Sequence, residues 1–216
     1  MLFNIYKCRV IQFCKKNNLV VSNFKYSMNG QFLETSESEK DLGVLISNDL
    51  KWDKHISKIT NKANSILAMI RNSFQCLDIE VVRPLYLSLV RPHLEFVNSV
   101  WNPHLIQDIK KIEKIQKRAT KMSPKLKKVK YDKRLEIFNL TSLEVRRKRG
   151  DLIEFFKLVH DRSLVNWINE PRCLVDSRDG LRRHNMHYYR ENKIKSIREN
   201  FFINRTIPLW NDLFFY

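Results

Sequence analysis

Basic side chains are the groups whose number and spacing most clearly indicate a chemistry in this sequence. The 216 residues include 40 lysines and arginines against 23 aspartates and glutamates, which gives a formal net charge of +17. Residues 110–134 contain 12 of these basic residues and two acidic ones, Glu113 and Asp132. This ratio exceeds what solubility requires. Because basic side chains that neutralise phosphates release condensed counterions, the stretch indicates binding to RNA or DNA.

Two groups of basic residues are the candidate nucleic-acid-binding residues. One lies within residues 110–128, and the other is the four-residue cluster at 146–149. The candidates are Lys110, Lys111, Lys114, Lys117, Arg118, Lys121, Lys125, Lys127, Lys128, Arg146, Arg147, Lys148 and Arg149. For the first group the alternative is an ordinary solvated helix face. The second group is equally typical of a nuclear-localisation cluster.

The sequence offers little support for metal, covalent or nucleotide-cradling chemistry. Its four cysteines are scattered without C-x-x-C spacing, so we expect free thiols, a reducing compartment and no structural zinc. His184 and His187 stand in a basic segment that would repel a metal ion, and no fourth ligand is apparent. Neither the P-loop nor the Rossmann glycine pattern is present, which excludes those modes of nucleotide binding.

The hydrophobic period of the sequence changes along the chain and predicts strands first and helices later. β-Branched and aromatic residues predict one strand over residues 6–13 and another over 41–47. Between them, Asn29 and Gly30 separate two alternating runs, and this pair predicts a hairpin because both residues tolerate positive φ. From Trp52 onward, apolar residues recur every three or four positions, as in helices. The predicted fold class is therefore α+β.

Helices are predicted along most of the second part of the chain. They cover residues 52–74, 81–101, 109–122, 131–140, 141–159 and part of 200–213. Pro92 should kink or split the second helix, because proline lacks the backbone donor that a helix interior needs. Thr141 and Glu144 fit the capping box that would start the fifth helix. The aromatic last helix is expected to pack back on the domain.

Short segments in a fixed order resemble a known protein family. They are Phe-Asn-Ile-Tyr-Lys-Cys (3–8), Tyr-Ser-Met-Asn-Gly (26–30), Glu-Lys-Asp-Leu-Gly-Val (39–44), Leu-Val-Arg-Pro-His-Leu-Glu-Phe (89–96), Ile-Glu-Lys-Ile-Gln-Lys-Arg-Ala-Thr-Lys (112–121), Arg-Gly-Asp-Leu-Ile-Glu (149–154), Asn-Phe-Phe (200–202) and Leu-Trp-Asn (209–211). The ordered set resembles the region after the catalytic aspartates in reverse transcriptases of jockey-type non-LTR (LINE-like) retrotransposons. It covers nearly the whole chain.

This resemblance implies part of a polymerase hand. Residues 1–48 would be a small antiparallel sheet remnant from the end of the palm, 49–160 a basic helical thumb-like domain, and 161–216 a C-terminal extension. Leu42, Gly43 and Val44 match the family's primer-grip turn, and Lys7 falls where the family carries a lysine near the incoming nucleotide. The implied partners are a template–primer duplex of RNA or DNA and a missing upstream polymerase segment.

The catalytic carboxylates of that family are not found in this sequence. The family's nucleotidyl transfer uses Mg²⁺ ions held by acidic side chains, some of which are adjacent aspartates on a strand. This chain contains no two adjacent acidic residues, as if a gene copy were truncated or decayed, or its start misplaced. We therefore expect no catalytic residue, metal site or cofactor. The expected function is that of a non-catalytic fragment of an RNA-directed DNA polymerase that binds RNA or DNA without sequence preference.

The alternative is a protein-interaction or structural module whose basic surface is merely solvated and has no nucleic-acid role. The cellular location expected is the same on both hypotheses. No apolar run approaches the roughly 18 residues that a membrane span needs, and the first residues lack a signal-peptide core. We therefore expect an intracellular protein, nuclear or cytoplasmic, that makes no membrane contact.

Overall fold

The computed structural model describes residues 4–13, 24–160, 162, 171, 173, 187–190 and 196–213. It is mainly helical with small strand pairs, which confirms the predicted α+β class. The chain divides into two compact units, the N-terminal unit of residues 1–61 and the C-terminal unit of residues 62–216. The N-terminal unit thus extends past the boundary predicted near residue 48. Within the described ranges, every helix is too short or too polar to traverse a lipid bilayer.

The strands of the N-terminal unit are short and pair two by two. They are β1 (Arg9–Val10), β2 (Ser27–Met28), β3 (Gln31–Phe32), β4 (Glu34–Thr35), β5 (Ser38–Asp41) and β6 (Val44–Ser47). β1 pairs in parallel with β4, whereas the β2–β3 and β5–β6 pairs are antiparallel. Asn29 and Gly30 connect β2 to β3 with φ values of 51° and 78°. The hairpin predicted from this pair is confirmed.

The strand predicted over residues 6–13 is wrong for most of its length. A 3₁₀ turn occupies Ile5–Lys7, and only Arg9–Val10 is a strand. The side chain of Asn4 accepts a hydrogen bond from the backbone N–H of Tyr6 at 3.1 Å. This local cap competes with an extended backbone, and its effect outweighs the β propensity of the apolar residues.

The single strand predicted over residues 41–47 is also wrong, because a hairpin turn interrupts it. Asp41 pairs with Val44, and the two residues between them form the turn. Leu42 has φ 42° and Gly43 has φ 95°, the two positive values that a tight hairpin turn of type I′ requires. Positive φ is unfavourable for leucine, whose side chain is 88% exposed at the tip.

A buried histidine connects this hairpin to α1 (Asp53–Ser73), the long helix predicted over residues 52–74. His55 is 2% exposed, and its Nδ1 accepts a hydrogen bond from the Leu45 backbone N–H at 3.1 Å. The neutral imidazole therefore carries its proton on Nε2. Burial, aided by the positive charge of Lys58, lowers the pKa of His55 to about 4.

The C-terminal unit contains the remaining helices. They are α2 (Ile79–Leu85), α3 (Arg91–Glu95), α4 (Asn98–Trp101), α5 (Ile106–Thr120), α6 (Tyr131–Phe138), α7 (Leu143–Val159), α8 (Ser196–Glu199) and α9 (Phe202–Asp212). A π-helical turn at Tyr86–Val90 joins α2 to α3, and a 3₁₀ turn at Pro124–Leu126 follows α5. The predicted helices are present, but α8 was not predicted and α5 begins three residues before its predicted start at residue 109. Two further differences concern the second helix and the start of α7.

The helix predicted over residues 81–101 is split, but the break lies at Phe96 and Val97 and not at Pro92, through which the helical turns continue. Pro92 has no N–H for the carbonyl four residues earlier, and in the preceding turn the Arg91 N–H bonds to the Tyr86 carbonyl instead. The chain then leaves helical geometry at Phe96, with ψ 119°, and Val97 takes a left-handed φ of 50°. α4 is consequently separate from α3.

The capping box predicted at Thr141 is wrong by one residue. Ser142 caps α7, and its hydroxyl accepts a hydrogen bond from the Val145 N–H at 3.3 Å. Glu144 lies too early in the helix to complete the box, and its carboxylate instead pairs with Lys148 at 2.9 Å. The helix thus starts with a serine N-cap and without a capping box.

The last helix packs back on the domain, as predicted. Phe155 of α7 meets Ile207 and Trp210 of α9, together with Tyr188, in one buried cluster. The ring centroids of Phe155 and Trp210 lie 5.1 Å apart, and those of Phe155 and Tyr188 lie 5.3 Å apart in an edge-to-face contact. Aromatic burial of this kind attaches the end of the described chain to α7.

A buried amide holds α5 to its neighbours. Gln116 is fully buried, and its Oε1 accepts a hydrogen bond from the hydroxyl of Tyr86 at 2.7 Å. Its Nε2 donates to the hydroxyl of Tyr131 at 3.0 Å and to the carbonyl of Thr141 at 2.9 Å. One side chain therefore joins α5 to the π-helical turn, to α6 and to the start of α7.

We expect the N-terminal unit to lose stability in mild acid because of His55. The contribution of a neutral, buried imidazole is complete above the unfolded-state pKa of 6.5 and is lost as the pH falls toward 4, since the unfolded chain binds the proton first. The loss should reach up to about 3 kcal/mol. Urea unfolding of the wild type and of His55→Gln at several pH values measures it. The His93→Gln variant, altered at an exposed histidine, should keep the wild-type pH dependence, and so should His55→Gln if the interpretation is wrong.

We expect Gln116→Leu to destabilise the C-terminal unit by about 3 kcal/mol, because the buried hydroxyl of Tyr86 and the carbonyl of Thr141 would lose their partner. Thermal and urea unfolding measure the change. Gln107→Leu, at an exposed position on the same helix, is the matched control and should alter the free energy of unfolding by less than about 0.5 kcal/mol. Equal stability of the two variants would show that the amide network contributes little.

Candidate nucleic-acid interface

A groove of about 480 Å³ lies between α5 and the segment that leads into α6. Its lining consists of Val129, Tyr131 and eight basic residues. The basic residues are Lys114, Lys117, Arg118, Lys121, Lys127, Lys128, Lys130 and Arg134. We call this surface the basic groove. No acidic residue of the described chain lines it.

One wall of the basic groove is a single face of α5. Lys114, Lys117, Arg118 and Lys121 follow one another at steps of three, one and three residues, so they share a side of the helix. The opposite side is buried, as the complete burial of Ile112 illustrates. The amphipathic pattern of α5 thus requires its cations to face outward.

The other wall is formed where the chain reverses after α5. The 3₁₀ turn at Pro124–Leu126 is held by Leu126, which is 6% exposed. The chain then returns past α5, and Lys127, Lys128 and Lys130 line the groove from this second side. Cations separated by a turn in the sequence are therefore brought to the same groove.

Tyr131 and Arg134 form the inner part of the groove. The ammonium of Lys117 lies 5.0 Å from the centroid of the Tyr131 ring, and the guanidinium of Arg134 lies 5.5 Å from it. Arg134 is 3% exposed and donates hydrogen bonds to the hydroxyl of Thr120 at 3.1 Å and to the carbonyl of Val129 at 2.7 Å. These contacts give the groove a rigid base.

The acidic residues of this stretch do not neutralise the groove through ion pairs. The carboxylate of Glu113 accepts hydrogen bonds from the Tyr131 hydroxyl and from the Leu143 backbone N–H. Burial, together with the bond to Glu113, raises the pKa of Tyr131, so its hydroxyl stays neutral. Within the described ranges, none of the groove's basic side chains lies within 4.0 Å of a carboxylate oxygen.

The structure places six of the predicted binding residues in the basic groove and three beside it. The six are Lys114, Lys117, Arg118, Lys121, Lys127 and Lys128. Lys110 is exposed on α5 outside the lining, Lys111 pairs with Asp108 at 3.3 Å, and Lys125 pairs with Asp78 at 3.4 Å. The prediction missed Lys130, Tyr131 and Arg134 as groove residues. All three lie within the basic run of residues 110–134, and that position was the signal from which they could have been predicted.

The second predicted cluster does not form a common surface. Arg146 makes a two-pronged pair with Glu95, in which Nη2 lies 3.0 Å from Oε2. Arg147 is 1% exposed, and Lys148 pairs with Glu144. Arg149 is exposed. Because two of the four cations are engaged by carboxylates and a third is buried, we do not include this cluster in the candidate interface.

The residues singled out by the resemblance lie in the N-terminal unit. Leu42 and Gly43 form the exposed hairpin turn, and Val44 is 5% exposed. Lys7 is exposed at the end of the first 3₁₀ turn rather than on a strand. The part of the chain that is described contains no cluster of three metal-ligating side chains, and His184 lies outside it.

Comparisons with known proteins add no assignment to this geometry. No protein-family model, no curated protein and no solved structure matches the chain. A functional interpretation therefore depends on the charge and shape of the basic groove, together with the ordered segments of the sequence.

Proposed function

We propose that the chain binds RNA or DNA through the basic groove and does so without sequence preference. The observation that supports this function is the convergence of eight basic side chains in one groove, where no described carboxylate pairs with them. A groove of like charges is electrostatically unfavourable by itself. An anionic backbone relieves that repulsion and releases its own counterions on binding.

The side chains of the groove favour contact with phosphates over contact with bases. Six of the eight cations are lysines, which act as point charges with rotatable donors rather than as planar forks. Phosphates are presented by every nucleotide, so such contacts position a nucleic acid without selecting its sequence. This agrees with the sequence-independent binding that the resemblance implies.

The same proposal includes a place in a larger assembly. The ordered segments resemble the palm end, thumb and C-terminal extension of a jockey-type non-LTR retrotransposon reverse transcriptase, and a basic groove is suited to holding a template–primer duplex. The chain would then act as the non-catalytic C-terminal part of such a polymerase. Mg²⁺ would be bound by the parent polymerase and not by residues of this chain.

Charge reversal within the groove should weaken nucleic-acid binding. For Lys114→Glu/Lys117→Glu/Lys121→Glu we expect an increase in Kd of at least about tenfold on a duplex. The dependence of log Kd on log salt concentration should become shallower by roughly 0.9 for each phosphate that the variant no longer neutralises. Fluorescence anisotropy over a range of salt concentrations measures both quantities.

The matched control is Lys54→Glu/Lys58→Glu/Lys62→Glu, which makes the same change in net charge at exposed positions of α1. It should bind more tightly than the groove variant. If both variants lose affinity equally, net charge and not the groove determines binding. Tight binding of polyglutamate with no preference for nucleic acid would support the alternative of an acidic protein partner.

We expect no polymerase activity from this chain alone, because its sequence has no adjacent acidic pair to hold two metal ions. Primer extension on an RNA template, with Mg²⁺ or Mn²⁺, tests this. Nucleotide incorporation above that of a protein-free control, and proportional to the concentration of the protein, would overturn the expectation.

A further inference from the structure

Arg134 provides a fixed positive charge in the lining of the basic groove. Its side chain is 3% exposed, and Nε and Nη1 donate hydrogen bonds to the hydroxyl of Thr120 and the carbonyl of Val129. Nη2 has no acceptor among the described residues, yet it is not fully buried, whereas the three guanidinium nitrogens of Arg147 are. Because Arg134 lines the groove, this remaining donor is available to a ligand there.

The ring of Tyr131 is already in contact with cations. Lys117 lies over the ring at 5.0 Å from its centroid, and Arg134 at 5.5 Å. The Tyr131 hydroxyl is engaged as well, since it donates to Glu113 and accepts from Gln116. A stacked base would compete with these cations for the ring, and stacking is the usual aromatic contribution to binding a single nucleic-acid strand. The groove therefore recognises negative charge rather than bases.

The charge of the groove exceeds what one nucleic-acid strand can balance. Its wall on α5 runs from Lys114 to Lys121, which is about 10 Å at the rise of an α-helix. One strand of a duplex presents a phosphate about every 3.4 Å, so about three phosphates fit along this wall. Each phosphodiester carries one negative charge, whereas eight cations line the groove. A single backbone thus leaves more than half of the cations without a counter-charge.

We propose that the basic groove also binds a compact polyphosphate, a small soluble molecule with several phosphate monoesters on one scaffold, and that this ligand displaces nucleic acid. A phosphate monoester carries a charge of about −1.5 to −2 and three acceptor oxygens, so about five of them balance eight cations. The volume of about 480 Å³ falls within the range of small-molecule sites.

The position of the cations on two walls favours such a ligand. Lys127, Lys128 and Lys130 face the groove from the side opposite the α5 cations, and Arg134 lies at its inner part. A compact molecule presents phosphates in several directions and can contact both walls at once. The displacement of nucleic acid rests on the proposed function, whereas the binding of the polyphosphate does not.

Calorimetric titration of the full chain with inositol hexakisphosphate, without divalent cations, tests the binding. The comparison ligand is an oligothymidylate with about eight phosphodiesters, and hence of similar total charge. We expect one molecule of inositol hexakisphosphate per chain and a Kd at least about tenfold below that of the oligothymidylate, because a rigid ring loses less conformational entropy on binding. In fluorescence anisotropy, inositol hexakisphosphate should displace a labelled duplex with an inhibition constant equal to its calorimetric Kd.

Three variants locate the site. Lys114→Glu/Lys117→Glu/Lys121→Glu should raise the Kd for inositol hexakisphosphate at least about tenfold. Its matched control, Lys54→Glu/Lys58→Glu/Lys62→Glu on α1, should change that Kd by less than about threefold. Arg134→Lys keeps the charge but removes the planar fork, so it should weaken binding by about fivefold in the folded protein. If Arg134→Lys does not fold, the two triple variants decide.

The proposal is overturned if inositol hexakisphosphate does not bind with one-to-one stoichiometry, or if the oligothymidylate binds as tightly. Equal losses of affinity in the groove variant and the α1 variant would overturn it too, because net charge would then explain the binding. Failure of the proposed function gives a different result, in which inositol hexakisphosphate binds in the groove and nucleic acid does not. Nucleic-acid binding that inositol hexakisphosphate leaves unchanged would overturn the displacement and leave the proposed function in place.

Discussion

The hydrogen bonds of Gln116 are the constraint on which the basic groove depends. A fully buried amide must have both its acceptor and its donors satisfied, and here these reach Tyr86, Tyr131 and Thr141 at once. Apolar packing would hold α5 in place over a range of rotations. The amide network is directional and selects one of them, so it determines where the adjacent Lys117 points.

The position of Glu113 decides how positive the groove is. In the sequence this residue lies among lysines, where it would reduce their net charge. In the structure its carboxylate binds the hydroxyl of Tyr131 and the N–H of Leu143. An acid that stabilises the helix junction therefore does not form an ion pair in the groove. Charge counting along the chain overlooks this distinction.

Arg146 and Arg147 illustrate how adjacent residues can have different roles. Successive side chains on a helix point about 100° apart, so α7 directs Arg146 to Glu95 and Arg147 into the interior. The run of basic residues at 146–149 suggests one binding surface. Helical geometry gives the four residues different surroundings: Arg146 pairs with Glu95, Arg147 is buried, Lys148 pairs with Glu144, and Arg149 is exposed.

Some features were predictable from sequence alone, because they depend on local period, turn residues and composition. They are the helices α1, α5 and α7, the Asn29–Gly30 hairpin and the basic character of residues 110–134. The strand predictions near Asn4 and Leu42 were wrong because a side-chain cap and a hairpin turn compete there with the extended backbone that the pattern indicates. The folded structure was needed to show which cations converge in the groove and which already form ion pairs. Pairing and burial depend on contacts between distant segments, such as those between Glu95 and Arg146, and no local pattern encodes such contacts.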